Sequence, residues 1–172
     1  IYTSFFQSIT TRTAGFNTVN IGGLTRATLL VFVMFMFIGA APGGTAGGIK
    51  ITTVYIFFKN FLSMIRSSND VYAFGRKIPK EIVNKATGIF FVSIFLNFIA
   101  IILLSITEPF ELTEIVFETV SAFGTVGLST GITPYFSSSG KFIIIILMFA
   151  GRLGPLTLAV AVGNTLKKEN RY

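Results

Sequence analysis

A run of 21 residues without a charged side chain, 86–106, limits what this chain can fold into more than any other feature. As an α-helix it is about 31 Å long, which matches the ~30 Å hydrocarbon core of a bilayer. Charged residues make up 12% of the chain and hydrophobic residues 52%, whereas a soluble domain usually carries about 25% charge. So few charges cannot cover a water-soluble fold, and we expect an all-α polytopic membrane protein.

The remaining apolar segments include one that is interrupted. Residues 24–39 and 49–65 are apolar, and the stretch between them, 40–48, holds a proline and four glycines. A helix does not run well through such a stretch, because proline lacks an N–H and glycine costs conformational entropy. We therefore interpret 24–66 as one broken helix with an intramembrane loop at 40–48. A last long helix is expected over 140–165.

The distribution of lysine and arginine predicts the orientation. The segment 66–85 carries five basic and two acidic residues, the C-terminal tail is basic, and 107–118 carries only acidic ones. Cytoplasmic loops are enriched in Lys and Arg, so the linker 67–85 and the C-terminus are expected in the cytoplasm and 107–118 outside. The net charge of +7 is then explained by topology in a cell membrane, and no nucleic-acid partner is expected.

The chain contains no cysteine and no histidine. This excludes disulfides and thiolate metal sites, and it removes the usual general base. A phosphate-binding loop needs Gly-Lys-Ser/Thr, but Ile49 separates Gly48 from Lys50. The spans also lack a nucleophile–base pair, so we expect no enzyme, no catalytic residue and no cofactor in this chain.

Two parts of the chain match each other at an offset of 112 residues. Residues 13–18 align without gaps with 125–130, and the same offset pairs Phe37 with Phe149 and Gly39 with Gly151. Several matches at one offset indicate two copies of one unit, made of a short helix, a glycine loop and a long helix.

The glycine loops are the best candidates for chemistry. Residues 113–122 form a helix of about 15 Å, too short to span, and the Gly-, Ser- and Thr-rich segment 123–131 follows it. Loop backbone survives in a bilayer only when it is buried in protein or lines a water-filled path. Such a loop can present carbonyl oxygens to a dehydrated cation. The alternative is a tight turn between helices in which glycine is a C-cap.

The motifs resemble a known family. Residues 125–128, Thr-Val-Gly-Leu, are similar to the TVGYG signature of potassium channels. Residues 11–18, the Pro42–Gly48 break and residues 150–155 together resemble the Trk/Ktr/HKT potassium transporters, and within them the membrane subunits of bacterial Ktr systems. The resemblance covers essentially the whole chain.

The family has four helix–pore-helix–helix units around one pore, so the resemblance implies that residues 1–66 are the rest of the third unit, with its pore loop at 8–20. Residues 86–172 are then the fourth unit. Because the chain begins at Ile1 rather than at Met, we expect it to be the later part of a longer protein. Potassium is the implied substrate, with no other metal. The implied selectivity filter consists of Thr13, Ala14, Gly15, Phe16, Thr125, Val126, Gly127 and Leu128.

The resemblance also implies a gate below the filter. Its residues are the intramembrane loop and an arginine in the last helix, namely Ala40, Ala41, Pro42, Gly43, Gly44, Thr45, Ala46, Gly47, Gly48 and Arg152. An arginine at membrane depth must face a cavity or a partner, and a purely structural tie between helices is the alternative for it. Close packing of small residues is the alternative for the loop. Lys50 either reaches water at a helix end, which we favour, or is a second gate residue.

The implied partners are a second copy of the membrane subunit, giving a homodimer, a cytosolic nucleotide-binding regulatory ring, and the lipid bilayer.

Glutamates 108, 111, 114 and 118 either concentrate cations at the outer mouth or form a solvated rim, and Arg12 is expected to pair with an acid near its loop. Two alternatives to a potassium transporter stay open: a sodium-selective or non-selective transporter of the same fold, and a membrane scaffold that moves no ions.

Overall fold

The computed structural model describes residues 2–39, 41–44, 46–66 and 70–154. Its regular structure in this part of the chain is almost entirely helical, in agreement with the expected all-α architecture. The helices are α1 (Tyr2–Thr10), α2 (Arg26–Phe37), α3 (Ile51–Ile65), α4 (Lys80–Thr107), α5 (Leu112–Phe123) and α6 (Ser138–Leu153). The predicted extension of the last helix to residue 165 lies outside the described residues.

Helix α4 is the one helix of the described residues that is long and apolar enough to cross a membrane by length and composition, with a mean hydropathy of 2.8. It begins at Lys80, inside the predicted linker 67–85 and before the apolar span 86–106. Pro79 is the N-cap, and the charged residues of the first two turns fit a helix surface in water. Hydropathy alone locates only the apolar part of such a helix.

The rest of the linker contains a hairpin that the sequence analysis did not predict. Strand β1 (Tyr72–Ala73) pairs antiparallel with β2 (Arg76–Lys77). The two turn residues, Phe74 and Gly75, have φ of 50° and 75°, as the favoured two-residue hairpin turn requires. A hydrogen bond from Lys77 Nζ to Asp70 Oδ2, 2.6 Å long, raises the pKa of Lys77.

The offset of 112 is visible in the helix boundaries. Helix α2 begins at Arg26 and α6 at Ser138, and 138 − 26 = 112. Both helices are capped in the same way: Thr25 accepts a hydrogen bond from the amide of Thr28, and Ser137 accepts one from the amide of Gly140. Such caps satisfy an amide that the helix leaves unbonded.

The two copies differ after the third turn of this helix. Helix α6 continues to Leu153, whereas α2 ends at Phe37. The chain then leaves the helix and returns beside itself, so that Ile38 and Ile49 form a parallel bridge. The amide of Gly39 donates to the carbonyl of Ile49 at 2.7 Å. Helix α3 starts immediately afterwards, so the predicted break is a closed loop between two helices.

Helix α5 lies at the centre of the fold. It packs against α2, α4 and α6, and Phe117 and Phe123 are fully buried. Burying an aromatic side chain of this size contributes about 1.5–3 kcal/mol. By contrast, Phe91 and Phe95 on α4 are 60% and 62% exposed, as expected of side chains that face lipid. The fold thus holds a short helix rigidly inside a frame of longer apolar ones.

Candidate ion pathway at the two glycine loops

The loops after α1 and α5 share an unusual backbone. Thr13 and Thr125 have φ of 66° and 51°, and Gly15 and Gly127 have φ of 76° and 90°. A β-branched residue at positive φ is a genuine outlier, and backbone strain of this kind clusters at functional sites. The C-cap of α5 is Gly124, so Gly127 is not the helix C-cap that the tight-turn alternative requires.

The two loops lie side by side. A Cβ atom on Gly15 would overlap the carbonyl oxygen of Val126 and lie 3.4 Å from the Cα of Gly127. Further out, a Cβ on Gly22 would come within 2.5 Å of the carbonyl oxygen of Thr130. Only glycine at position 15 permits so close an approach of the two backbones. The structure therefore brings together the two segments that the repeat singled out.

Most carbonyls of the predicted filter residues accept no hydrogen bond within the part of the chain that the structure describes. This holds for residues 13–15 and 125–127. The carbonyls of Phe16 and Leu128 are different, because they accept bonds from Thr10 Oγ1 at 2.5 Å and Ser121 Oγ at 2.6 Å. Backbone carbonyls rarely stay unpaired when buried. The six unbonded carbonyls are thus available to water or to a cation, while the other two anchor the loops to α1 and α5.

Helix α5 adds an electrostatic contribution. Its C-terminal end, Phe123, leads directly through Gly124 into Thr125. The C-terminus of a helix carries a partial negative charge that favours cations. A cleft of about 240 Å³ lies beside this point, lined in part by Thr125, Gly127 and Glu118.

The intramembrane loop packs against the start of the second glycine loop. The amide of Gly47 donates to Thr125 Oγ1 at 3.0 Å. A Cβ on Gly47 would lie 2.7 Å from Thr125 Cγ2 and 3.0 Å from the carbonyl oxygen of Gly124. The loop is therefore in direct contact with a predicted filter residue. Ala40 and Thr45 lie outside the described residues, and Ala41, Pro42, Gly43 and Gly44 are exposed.

Lys50 is bonded to this loop. Its Nζ donates to the carbonyl of Ala46 at 2.6 Å and to that of Gly44 at 3.2 Å. Lys50 is half-buried, and both interpretations of it, a side chain that reaches water and a second gate residue, stay predictions. Arg152 lies in the last turn of α6 with an exposed side chain. It follows Gly151, which packs against the carbonyl of Phe123.

Comparison with known proteins decides the family. The family model of TrkH, described as a cation transport protein, matches residues 1–170. This chain belongs to the TrkH family. TrkH-family proteins are membrane transporters of cations, not enzymes, and the resemblance inferred from the motifs is confirmed.

Individual TrkH-family relatives agree with this assignment. The chain is 41% identical over 172 residues to the Ktr system potassium uptake protein B of Bacillus subtilis, covering all of this chain and 39% of that protein. It is 40% identical to the potassium/sodium uptake protein NtpJ of Enterococcus hirae, covering 98% of this chain and 38% of that protein. The chain thus spans about two fifths of the length of these relatives.

A solved structure shows the same fold. The crystal structure of the potassium transporter TrkH from Vibrio parahaemolyticus matches with a TM-score of 0.77 and 19% sequence identity, over 92% of this chain and 36% of that one. At this identity the match concerns the fold alone. It confirms the helical pore-unit architecture of this TrkH-family chain.

The acidic residues of this TrkH-family chain differ in their exposure and in their partners. Glu108 is buried and accepts bonds from the amide and hydroxyl of Ser137. Glu111 caps α5 together with Glu114 and pairs with Arg26 at 2.9 Å. A solvated rim is therefore wrong for Glu108, whereas concentration of cations at the outer mouth stays a prediction.

The fourth glutamate, Glu118, is buried behind the second glycine loop and is bonded to it, which neither interpretation anticipated. Arg12 forms no ion pair with any residue that the structure describes. The ion pair with Glu111 is formed by Arg26. These roles become visible only in the tertiary structure. Each partner is distant in sequence, and no local motif marks the pair.

Proposed function

We propose that this chain supplies the remainder of the third pore unit and the whole fourth unit of a potassium-translocating membrane subunit of a Ktr-type system. Potassium sheds water at the carbonyls of residues 13–15 and 125–127, together with equivalents from two further units. The observation that carries the proposal is the shared backbone of the two loops: a left-handed threonine and a left-handed glycine, with unbonded carbonyls, in each. Carbonyls that replace the hydration shell are the basis of potassium filters.

We further propose that the intramembrane loop, residues 40–48, is the gate of this pathway. It lies against Thr125 and is bonded by Lys50. Glycine-rich backbone can change conformation at low steric cost. Opening then requires the loop to leave Thr125, and Arg152 at the end of α6 donates to loop carbonyls and repels cations while the loop is closed.

The partners of the complete protein follow from the same proposal. A homodimer in the cell membrane presents the basic segment 66–85 and the C-terminus to the cytoplasm, where a nucleotide-binding regulatory ring docks. The name of the Bacillus subtilis relative refers to a Ktr system, which supports a system of more than one component.

The test is cation flux from the complete parent protein in liposomes, with potassium, rubidium and sodium compared. Gly127→Ser is the informative variant, because a side chain at φ 90° must distort the carbonyls next to it. Gly75→Ser is the matched control: its φ is 75° with open space around it, but it lies in the cytoplasmic hairpin.

We expect potassium-preferring flux that Gly127→Ser weakens or makes less selective and that Gly75→Ser leaves selective. Equal flux of sodium and potassium in the unaltered protein would favour the non-selective transporter of the same fold, an alternative kept open because the Enterococcus hirae relative is named for both ions. No flux of any ion, with the regulatory ring present, would favour the scaffold and overturn the proposal.

A further inference from the structure

Glu118 is a buried carboxylate that holds the segment just beyond the second glycine loop. It is 5% exposed and lies on α5, within two turns of Thr125. Its Oε1 accepts bonds from the amide of Thr130 at 2.8 Å and from the hydroxyls of Ser129 and Thr130 at 2.7 and 3.0 Å. Its Oε2 accepts from the hydroxyl of Thr133 at 2.6 Å. One side chain thus gathers four donors from a five-residue stretch.

No basic residue neutralises this carboxylate within the part of the chain that the structure describes. Burying a charge is costly unless it is well hydrogen-bonded, and bonds to an ionised acceptor are about twice as strong as neutral ones. The four donors therefore both compensate the charge and are held by it. The segment that they form follows Leu128 directly, so Glu118 fixes the outer end of the loop from behind.

The other glycine loop has no such support. At the offset of 112 the position of Glu118 corresponds to Phe6, since 118 − 112 = 6, and Phe6 has no acceptor. The nearest substitute is Gln7, whose Nε2 donates one bond of 3.3 Å to Thr18 Oγ1. The Oε1 of Gln7 is buried without a partner in the described part of the chain. The two glycine loops are therefore held by different numbers of side-chain hydrogen bonds.

We propose that Glu118 is a positioning residue for ion selectivity: it fixes the fourth filter loop through residues 129–133, and this loop discriminates between ions more than the third does. The inference rests on the proposed function of the loops. A filter discriminates only when its carbonyls keep their spacing, and here one carboxylate sets where the loop ends. Glu118 also lines the cleft beside Thr125 and Gly127, so its charge lies next to the same path.

The experiment compares Glu118→Ala, Glu118→Gln and Glu108→Gln in the complete protein, by potassium and sodium flux in liposomes. Glu108 is the matched control, because it is the other buried carboxylate of the described residues and bonds Ser137 at the start of α6 rather than the loop. We expect Glu118→Ala to lower the potassium-to-sodium flux ratio about tenfold, equivalent to ~1.4 kcal/mol of discrimination. Glu118→Gln keeps the shape and part of the bonding and is expected to restore part of the ratio.

A merely structural role predicts something else, namely that Glu118→Ala and Glu108→Gln both lower the amount of folded protein while the ratio stays unchanged. An unchanged ratio in Glu118→Ala overturns the proposal, as does an equal change in Glu108→Gln. If Glu118→Ala does not insert, Ser129→Ala and Thr133→Val each delete one donor with little change in size, and an unchanged ratio in both also overturns it. Absence of flux in the unaltered protein would instead contradict the proposed function, so the two failures are distinguishable.

Discussion

The amide of Gly47 donates a 3.0 Å hydrogen bond to the hydroxyl oxygen of Thr125. Gly47 belongs to the intramembrane loop and Thr125 to the predicted filter, so the two parts of the pathway share this contact. The loop cannot withdraw without breaking it, and an amide left unpaired in a buried place costs about 1–3 kcal/mol. If the loop is the gate and Thr125 belongs to the filter, as we propose, this one hydroxyl couples the state of the gate to the geometry of the filter.

Thr125→Val removes the acceptor and keeps the shape of the side chain. We expect the closed loop to be destabilised and basal flux without the regulatory partner to rise, by about fivefold or more for a loss of at least ~1 kcal/mol. Thr13→Val is the control, since Thr13 is the repeat partner of Thr125, but among the residues that the structure describes its hydroxyl bonds only the carbonyl of Arg12. Liposome flux with and without the partner distinguishes them. An equal rise in both variants would show that loss of a filter hydroxyl, not the loop contact, is responsible.

Lys50→Met removes the two bonds that hold the carbonyls of Gly44 and Ala46. Because bonds from a charged donor contribute about 1.5–3 kcal/mol, we expect a severalfold rise in basal flux with little change in ion preference. Lys59→Met is the matched control on the same helix, where the ammonium lies 5.7 Å from the ring centre of Tyr55 and away from the loop. Flux that is equal in the two variants would contradict a role for Lys50 at the gate.

Arg152→Ala is expected to raise flux or to uncouple it from the regulatory partner. The variant removes a positive charge from the end of α6, next to the predicted path. Arg26→Ala is the control, because Arg26 pairs with Glu111 at the surface, where their side chains are 73% and 60% exposed. Such exposed ion pairs contribute at most about 1 kcal/mol to stability. Transport and regulation that stay unchanged in Arg152→Ala would support a purely structural role instead.

Gly151→Ala tests the contact between α6 and the end of α5. An added Cβ would overlap the carbonyl oxygen of Phe123, so the helices must separate, at a cost of about 1–3 kcal/mol. We expect a lower thermal midpoint of the detergent-solubilised protein. Gly88→Ala is the control on α4, where nothing lies within 4 Å of the new atom, and its midpoint is expected to stay the same or rise. Equal midpoints for both variants would show that α6 is not held at Gly151.

The sequence predicted those parts of the molecule that local composition and repetition encode. The uncharged run locates α4, and the offset between 13–18 and 125–130 locates the two loops that the structure brings together. The family resemblance and the helical architecture are confirmed. The filter and gate assignments themselves stay predictions.

The parts that could not be predicted depend on partners distant in sequence. Glu118 was grouped with its acidic neighbours, but its donors lie 11 to 15 residues further on, and only the folded loop brings them to it. The bonds from Lys50 to the carbonyls of Gly44 and Ala46 could not be predicted, because they form only in the folded loop. The continuity of α4 from Lys80 into the apolar span could not be predicted from hydropathy, because charged first turns carry no hydropathy signal.

The bridge between Ile38 and Ile49 has a consequence for how this pathway opens. Because the two ends of the intramembrane loop are hydrogen-bonded to each other, the chain enters and leaves the loop at the same place in the fold. The loop can change conformation while its bonded ends, and hence α2 and α3, stay where they are. Under the proposed function, residues 40–48 can therefore switch conduction without tilting a helix through the surrounding lipid.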